Sequence, residues 1–520
     1  MSKLTVPEQV IDIQAYSKGP TSKIDVAKVA PFGWLPVVLL GSAAFIDRAE
    51  GSVTLGAAAS LQEEFGFDDA FIGILAAAPS IAALLFVIPA GRWADTRNRK
   101  NVLLVTISLW AFCTLGSGLA VSLAMFTVFR ILLGAATPLA NPSSSSLVSD
   151  FYPRRSRTKA YGVLRSLETA GLPVGTLVGA AVGGLFGWRV AFFVVFVPAV
   201  VLIVLLYLFF REPRRGVGDE VSLIMEERLD QVGQVMTPPV LGSPEAGLLV
   251  SGPQSETIVA GPVTYWEPST PGQSGGDASG KRSKQPGIIK SFKLIFAIRT
   301  VRFLIIGQTM TFAAFAGFFA FATLFFVRTY FRPDFIFTAT GTIAVPGEGQ
   351  ALAGGLVAGL SVISIGLFSV LSARIDTKLG AKFPTLRVTI AFLAIVLSTV
   401  SVALFIVSSA LPVRLFFFLV FAGVNIIAVS NLSAAIADVL PARLRGAGFS
   451  VFQLLVGLGS SVGALSVGVV SALYGNDLRY GFAALLVPLL VGNLVVLLAR
   501  SSYVKDANLV LSAVKASASY

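Results

Sequence analysis

The sequence predicts an all-α membrane protein whose twelve transmembrane helices form two six-helix bundles. Hydrophobic residues make up 55% of its 520 residues, charged residues make up 13%, and the mean hydropathy is +0.80. A soluble domain carries roughly 25% charged residues. The apolar runs number about twelve, and each is close to the ~20 residues that a helix needs to cross a bilayer. An internal repeat also divides the chain into two halves.

The repeat appears when the chain is aligned with itself at a shift of 288 positions. Seven identities of Asp, Pro, Arg and Gly then fall in one window. The aligned pairs are Asp150 and Asp438, Pro153 and Pro441, Arg155 and Arg443, Arg157 and Arg445, Gly171 and Gly459, Gly175 and Gly463, and Gly187 and Gly475. A parallel repeat of six spans predicts two bundles related by an axis along the membrane normal, with a substrate site between them near the midplane.

The first half of the chain, 31–210, contains six apolar runs. Residues 1–30 precede it and have no apolar core, so we expect a polar cytoplasmic tail rather than a cleavable signal peptide. Spans five and six are separated only by a short turn at 187–189. The predicted spans are 31–58, 71–90, 102–123, 125–148, 161–186 and 190–210.

A linker at 211–298 separates the halves. Its composition changes to Pro, Gly, Ser and charge, with amphipathic helical spacing at 221–236 and predicted disorder at 237–285. The second bundle, 299–500, has predicted spans at 301–327, 352–371, 389–408, 413–439, 448–473 and 480–498, followed by a cytoplasmic tail at 501–520. Residues 334–345 alternate β-branched and aromatic side chains, which predicts a small external hairpin.

The distribution of Lys and Arg predicts the orientation. Basic residues cluster in alternate loops, at 92–100, 154–159 and 374–387, while the loops between them hold none to two. The positive-inside rule then places both termini in the cytoplasm, and we expect the inner or plasma membrane of a bacterium. The net charge of +12 is spread over these loops instead of one soluble face, so the sequence does not predict nucleic-acid binding.

The first span carries three charges near its middle, Asp47, Arg48 and Glu50. A charge at the centre of a transmembrane helix costs ~2.5–3.5 kcal/mol, so these residues should face partners or a water-filled cavity. Asp47 and Glu50 share a helix face, and Arg48 can bend its long stem to reach a carboxylate. One interpretation is an ion pair that fixes helix packing; the other, which we favour, is a substrate and proton site.

Carboxylates must carry any protons that move, because the chain has no histidine. The candidates are Asp47, Glu50 and Glu168; Arg165, three residues before Glu168, either neutralises it or leaves it to titrate in a cavity. The one cysteine, Cys113, excludes internal disulfides and a cysteine-rich metal site. We find neither a nucleophile with a base nor a phosphate-cradling Gly-rich loop followed by Lys, so we expect no enzyme, no cofactor and no ATP-driven pump.

Residues 91–100 resemble the signature loop of the major facilitator superfamily, Gly-x-x-x-Asp-Arg-x-Gly-Arg-Arg/Lys. The matching residues are Gly91, Asp95, Arg99 and Lys100, while Thr96 and Asn98 depart from it. The resemblance implies a twelve-helix fold over essentially the whole chain. It also implies a conformational latch, in which Asp95 meets a helix N-terminus and basic partners. The turn recurs in the second half with Asp376 in the place of Asp95.

Within this superfamily the first half is most similar to the spinster lipid transporters. The similarity rests on Asp47-Arg48, Leu61-Gln62-x-Glu64-Phe65-Gly66 with Gly73, Asn98-Arg99-Lys100 and Arg130-x-x-x-Gly134. It implies that Asp47 couples protons, that Arg48 and Arg130 contact a headgroup or take part in coupling, and that lysophospholipids or sphingosine phosphates are substrates. The family's helix-four acid is absent, since the chain reads Ala135-Ala136-Thr137-Pro138. Either Glu50 or Glu168 takes that role or coupling differs; Thr137 is retained as a substrate-contact candidate.

The seventh span is unusually aromatic. Its phenylalanines are Phe312, Phe315, Phe318, Phe319, Phe321, Phe325 and Phe326. They are either lipid-facing bulk or a wall for an acyl chain, for which Phe315 and Phe319 are the candidates. In the fifth span, glycines at every fourth position from Gly171 to Gly183 predict close helix packing.

These patterns together predict a monomeric, proton-coupled, alternating-access transporter of an amphipathic lipid such as a lysophospholipid. The alternative within the same fold is a proton-coupled drug or small organic-solute efflux transporter, which competition by hydrophobic cations or sugars would distinguish. A receptor or scaffold that signals through the linker is a different class. Deletion of 237–285 would abolish signalling but leave transport intact.

Overall fold

The computed structural model describes residues 33–152, 154–213, 295–331, 347–379, 385–440 and 445–518. Within these residues the chain forms twelve successive helices, α1–α12, and a short helix, Ala58–Phe65, after α1. The first six are α1 Leu35–Gly56, α2 Asp69–Thr96, α3 Arg99–Gly118, α4 Leu123–Ala136 continued by Ala140–Phe151, α5 Arg154–Leu177 continued to Gly183–Phe186, and α6 Trp188–Phe209. The second six are α7 Arg299–Tyr330, α8 Glu348–Leu379, α9 Leu386–Val407, α10 Leu411–Val439, α11 Arg445–Leu473, and α12 Leu478–Ala484 continued by Leu486–Ala518.

Ten of these helices are long and apolar enough to cross a membrane. The other two are α1, which carries Asp47, Arg48 and Glu50 within 22 residues, and α4, which a 3-10 turn at Thr137–Leu139 divides. The turn contains Pro138, whose ring removes a backbone donor from the helical ladder. Within the described residues the predicted all-α fold of twelve successive helices is confirmed.

Two differences from the predicted boundaries stand out. Helix α12 runs to Ala518, so the predicted tail at 501–520 is helical through that residue. Asp69, which lies between the predicted spans 31–58 and 71–90, is the first residue of α2, because Asp68 caps the helix by accepting the Phe71 N–H. The Asp69 side chain is fully buried. The predicted N-terminal tail, amphipathic helix at 221–236, disorder at 237–285 and hairpin at 334–345 lie outside the described residues.

The predicted glycine packing of α5 is confirmed. A Cβ on Gly175 would lie 2.0 Å from the carbonyl oxygen of Ala49 in α1, so the two backbones approach as only glycine allows. In the second half, a Cβ on Gly463 of α11 would lie 1.8 Å from the carbonyl oxygen of Ala313 in α7. The α7–α11 pair therefore repeats the α1–α5 pair, with offsets of 264 positions for the first helix and 288 for the second.

We name the two ends of the molecule by their connections. The acidic end carries the 62–69 connection, and the basic end carries the α2–α3 turn and the start of α5. At the acidic end the halves meet along two seams, α2 against α11 and α5 against α8. A Cβ on Gly73 of α2 would lie 2.9 Å from the carbonyl oxygen of Ala464, and one on Gly354 of α8 would lie 2.0 Å from the Cβ of Ala180.

The seam between α2 and α11 contains a charged cluster. Arg328 of α7 donates to both carboxylate oxygens of Asp69, at 2.7 and 2.8 Å. The same carboxylate accepts from Ser471 Oγ at 2.6 Å and from Gln62 Nε2 at 3.0 Å. We call Gln62, Asp69, Arg328 and Ser471 the outer cluster; it joins the two halves.

The seam between α5 and α8 has a neutral residue in the equivalent place. Gln350 donates to the carbonyl oxygens of Gly56 and Gly179, at 3.1 and 3.4 Å, and accepts from Ser60 Oγ at 2.6 Å. It lies 281 positions after Asp69, the same offset that relates Gly73 to Gly354. The two seams are therefore copies of one arrangement, of which only one carries charge.

Candidate functional site

Six charged side chains lie in the interiors of the apolar runs, and all six belong to the first half of the chain. They are Asp47, Arg48, Glu50, Arg130, Arg165 and Glu168. The corresponding interiors of the second half, 303–327, 349–373, 388–413, 415–437, 446–476 and 480–499, contain no charged residue; the buried Arg414 lies in the first turn of α10. The site must therefore be built from three carboxylates and three guanidinium groups on one side of the molecule.

Glu50 and Arg130 form a sealed pair between α1 and α4. Both side chains are 2% exposed, and Arg130 Nη2 lies 2.5 Å from Glu50 Oε1. Arg130 also donates to Ser117 Oγ at 2.7 Å, and Glu50 accepts from Thr114 Oγ1 at 3.2 Å. The guanidinium lies 5.2 Å from the ring centre of Phe192, within range of a cation–π contact. In this conformation neither side chain is accessible for the function predicted for it, which is proton coupling for Glu50 and headgroup contact for Arg130.

Arg48 and Arg165 share the carboxylate of Glu168. Arg48 Nη2 lies 2.7 Å from Glu168 Oε1, and Arg165 Nη1 lies 2.5 Å from Oε2. The arginine side chains are 44% and 54% exposed, whereas that of Glu168 is 12% exposed. Two open guanidinium groups thus flank one recessed carboxylate, an arrangement that presents donors to an anion.

The direction of each side chain follows from helix geometry. At about 100° per residue, Arg48 and Glu50 point to nearly opposite sides of α1. Arg48 therefore reaches α5, while Glu50 reaches α3 and α4. The expectation that Arg48 partners a carboxylate is confirmed, but the partner is Glu168 on another helix rather than its neighbour Asp47.

Asp47 is half-buried beside the break in α4. Thr137 Oγ1 lies 3.5 Å from Asp47 Oδ1 and 3.3 Å from the carbonyl oxygen of Leu133. Within the described residues the Asp47 carboxylate has no ion-pair partner. We call Asp47, Arg48, Arg165 and Glu168 the open cluster; its formal charge is zero.

The aromatic residues of α7 divide into two sets. Phe318, Phe321, Phe325 and Phe326 are buried in the core of the second half. Phe312, Phe315 and Phe319 are half-buried, three and four residues apart on one face. The rings of Phe315 and Phe319 lie 4.4 Å apart between centres. These two candidates thus form a partly open aromatic face, while most of the others are core.

The predicted latch residues Arg99 and Lys100 make contacts within the first half and the start of the linker. Arg99 is 3% exposed and pairs with Asp150 and with Glu212, whose Oε1 lies 3.0 Å from Arg99 Nε. The backbone N–H groups of Arg99 and Lys100 also donate to Glu212. Gly91 and Asp95 lie in α2 and Asp376 in α8, but their side chains are outside the described residues, so the latch stays a prediction.

The Arg99–Asp150 pair recurs in the second half. Arg387 and Asp438, each 288 positions later, form an ion pair at 2.6 Å. This repeated pair at the basic end was missed by sequence reasoning, although Asp150 and Asp438 were already aligned. Arg165 was also missed as a site residue; its signal was its place three residues before Glu168.

The match to the model of the Major Facilitator Superfamily covers residues 40–463. The 4-hydroxybenzoate transporter PcaK of Pseudomonas aeruginosa is 25% identical over 229 residues, 44% of this chain and 48% of that protein. The D-galactonate transporter of Escherichia coli O6:H1 is 24% identical over 432 residues, 83% of this chain and 86% of that protein. The chain spans about half or less of the first curated relatives that it matches.

Among solved structures, one similar fold is a bacterial homolog to the human lysosomal transporter Spinster in an inward-facing and occupied conformation. It is 19% identical, with 91% of this chain and 97% of that chain covered and a TM-score of 0.63. At this identity the likeness concerns the fold alone. The family match, which spans most of the chain, agrees with the twelve helices and the repeated halves, and the chain belongs to the Major Facilitator Superfamily of membrane transporters.

Proposed function

We propose that the protein is a proton-coupled secondary transporter of an amphipathic organic anion, with a lysophospholipid as the first candidate substrate. The single observation that carries the proposal is the open cluster, in which two half-exposed arginines flank the Glu168 carboxylate. Charges at this depth are costly unless they have partners or water. The 44% and 54% exposure of the two arginine side chains supports a binding role.

The internal repeat argues that helix packing does not need these charges. The α7–α11 pair uses the same glycine contacts as α1–α5. The positions equivalent to Asp47 and Arg48 in α7 hold Thr311 and Phe312, and the position equivalent to Glu168 in α11 holds Val456. A helix pair of this geometry therefore forms without them, which favours the site interpretation over a purely structural ion pair.

The chemistry follows from the geometry of the cluster. A carboxylate or phosphate of the substrate takes the place of Glu168 between the guanidinium groups of Arg48 and Arg165. Protonation of Glu168 or Asp47 removes the competing negative charge and couples the proton to anion binding. Phe315 and Phe319 contact the apolar part of the substrate, Thr137 positions Asp47, and the sealed Glu50–Arg130 pair holds α1 against α4.

The contacts between the halves support a state that is closed at the acidic end. The outer cluster and Gln350 both join the halves there. With the positive-inside rule, the opening then faces the cytoplasm. The Asp69–Arg328 pair must break when the protein opens to the other side.

A small organic acid is the second candidate substrate. The relatives' names include 4-hydroxybenzoate, benzoate, gallate and galactonate, all of which carry a carboxylate. Such an anion would use the same two arginines. Hydrophobic cations suit the cluster less, because the arginines that face the substrate cannot lose their protons.

The proposal is tested by uptake into proteoliposomes under an imposed pH gradient. The panel contains lysophosphatidylglycerol, 4-hydroxybenzoate and the hydrophobic cation tetraphenylphosphonium. At zero membrane potential we expect accumulation of at least one anion driven by the pH gradient and its loss in Asp47→Asn, whereas the exposed control Glu63→Gln should transport normally. Gradient-driven uptake of the cation alone, or full pH-driven anion accumulation by Asp47→Asn, would contradict the proposal.

A further inference from the structure

We infer that transport is electroneutral, so that each negative charge on the substrate crosses the membrane with one proton. This inference rests on the proposed function and deepens it by fixing the charge that travels with the substrate. Its basis is that the open cluster contains two carboxylates, Asp47 and Glu168, and two guanidinium groups, Arg48 and Arg165. Without substrate its formal charge is therefore zero.

The other charged groups in the apolar interiors are already balanced and closed to water. Glu50 and Arg130 neutralise one another, and each side chain is 2% exposed, so in this conformation Glu50 does not exchange a proton with solvent. The interiors of the second half contain no charged residue. An uncompensated charge in a transmembrane segment is expensive, on the order of 2.5–3.5 kcal/mol even on permissive scales. The conformational change is thus easiest when the cluster and its contents sum to zero.

A bound monoanion satisfies this condition only with one added proton. The proton enters as a bond to a carboxylate oxygen of Asp47 or Glu168 and is released from that oxygen on the other side. The groups that act on these two carboxylates are Arg48 and Glu50 on α1, Arg165 on α5 and Thr137 at the break in α4. Only the two carboxylates can change protonation, because the guanidinium groups stay charged. A dianion would need both carboxylates protonated, so two is the largest number of protons that the cluster can take up per substrate.

The decisive test is the response of uptake to membrane potential. The probes are lysophosphatidylglycerol and 4-hydroxybenzoate, both monoanions near neutral pH, in proteoliposomes with a potassium–valinomycin potential of either sign. Movement of one net charge would change the equilibrium accumulation about 50-fold per 100 mV. We expect the wild-type accumulation ratio to follow the pH gradient and to be unchanged by the potential.

Variants of the cluster give a sharper readout than loss of activity. Asp47→Asn and Glu168→Gln each leave the empty cluster with one positive charge, so anion uptake should become sensitive to potential and accelerate when the interior is positive. The double variant Asp47→Asn with Arg165→Gln restores zero charge, and potential sensitivity should disappear again. A residue with only a structural function would not produce this reversal.

The outcomes separate the inference from the proposed function. Uptake driven by the pH gradient but also strongly dependent on potential overturns electroneutrality and leaves the proton-coupled anion transporter standing. Absence of uptake and of binding for both anions overturns the proposed function and the inference with it. Potential sensitivity that is the same in the wild type and in both single variants also overturns the inference.

Discussion

At the scale of residues, the ion pairs inside the first half differ in their exposure to solvent. Glu50 and Arg130 are closed off, whereas Arg48 and Glu168 form a pair in which the arginine is 44% exposed. Breaking a buried pair leaves an uncompensated charge and costs ~3–5 kcal/mol, while an exposed pair is worth ~0–1 kcal/mol. The same residue types therefore have a structural function in one place and remain available to a ligand in the other.

This difference predicts the stability of single variants. Arg130→Met should lower the thermal denaturation midpoint of the purified protein much more than Arg48→Met, because Glu50 is left buried and unpaired. The double variant Glu50→Gln with Arg130→Met should recover much of the loss. Differential scanning fluorimetry in detergent measures all three; equal losses for the two arginine variants would show that the burial assignment is wrong.

Sequence reasoning identified five of the six interior charges as candidates but not their pairing. Asp47, Arg48 and Glu50 are neighbours in sequence, yet about 100° per residue turns Arg48 towards α5 and the two carboxylates towards α4. Partners on α4 and α5 are brought by tertiary packing, at separations of 80 positions for Glu50 with Arg130 and 120 for Arg48 with Glu168. A single sequence carries no signal for such distant pairs.

At the scale of elements, the two seams at the acidic end show how the repeat diverged. Asp69 and Gln350 lie in the first turns of equivalent helices and close equivalent seams, but of these two residues Asp69 alone forms an ion pair across the halves. The predicted spans leave Asp69 in the connection between 31–58 and 71–90. Asp68, which caps α2, is exposed to solvent, whereas Asp69 at the next position is buried.

The charged seam predicts a shift in conformation when its carboxylate is removed. Asp69→Asn leaves Arg328 without its carboxylate partner and should favour opening of the acidic end. Double electron–electron resonance between spin labels at the exposed positions Glu63 and Tyr474, on opposite halves, should then report a longer distance between the two labels.

The matched control for this variant is Asp68→Asn. It makes the same chemical change one position earlier, at an exposed site where asparagine also caps a helix well. Its distance distribution should resemble that of the parent protein. If both variants gave the parent distribution, the outer cluster would have no influence on opening.

At the scale of the whole molecule, a symmetric scaffold carries an asymmetric set of charges. The halves share their helix order, glycine contacts and basic-end ion pair, as in Arg99–Asp150 and Arg387–Asp438. Hydropathy and the internal repeat predicted this scaffold because both can be read directly from the sequence. The seams and the open cluster depend on which helices meet, and these became visible only in the folded chain.

Coupling of anion binding to proton uptake is measured by the number of protons taken up when the purified protein binds lysophosphatidylglycerol. Isothermal titration calorimetry in two buffers of different ionisation enthalpy gives this number. We expect uptake of about one proton per bound anion, because a negative charge added between Arg48 and Arg165 must be balanced on Asp47 or Glu168. Binding without proton uptake, or no binding, would contradict this expectation.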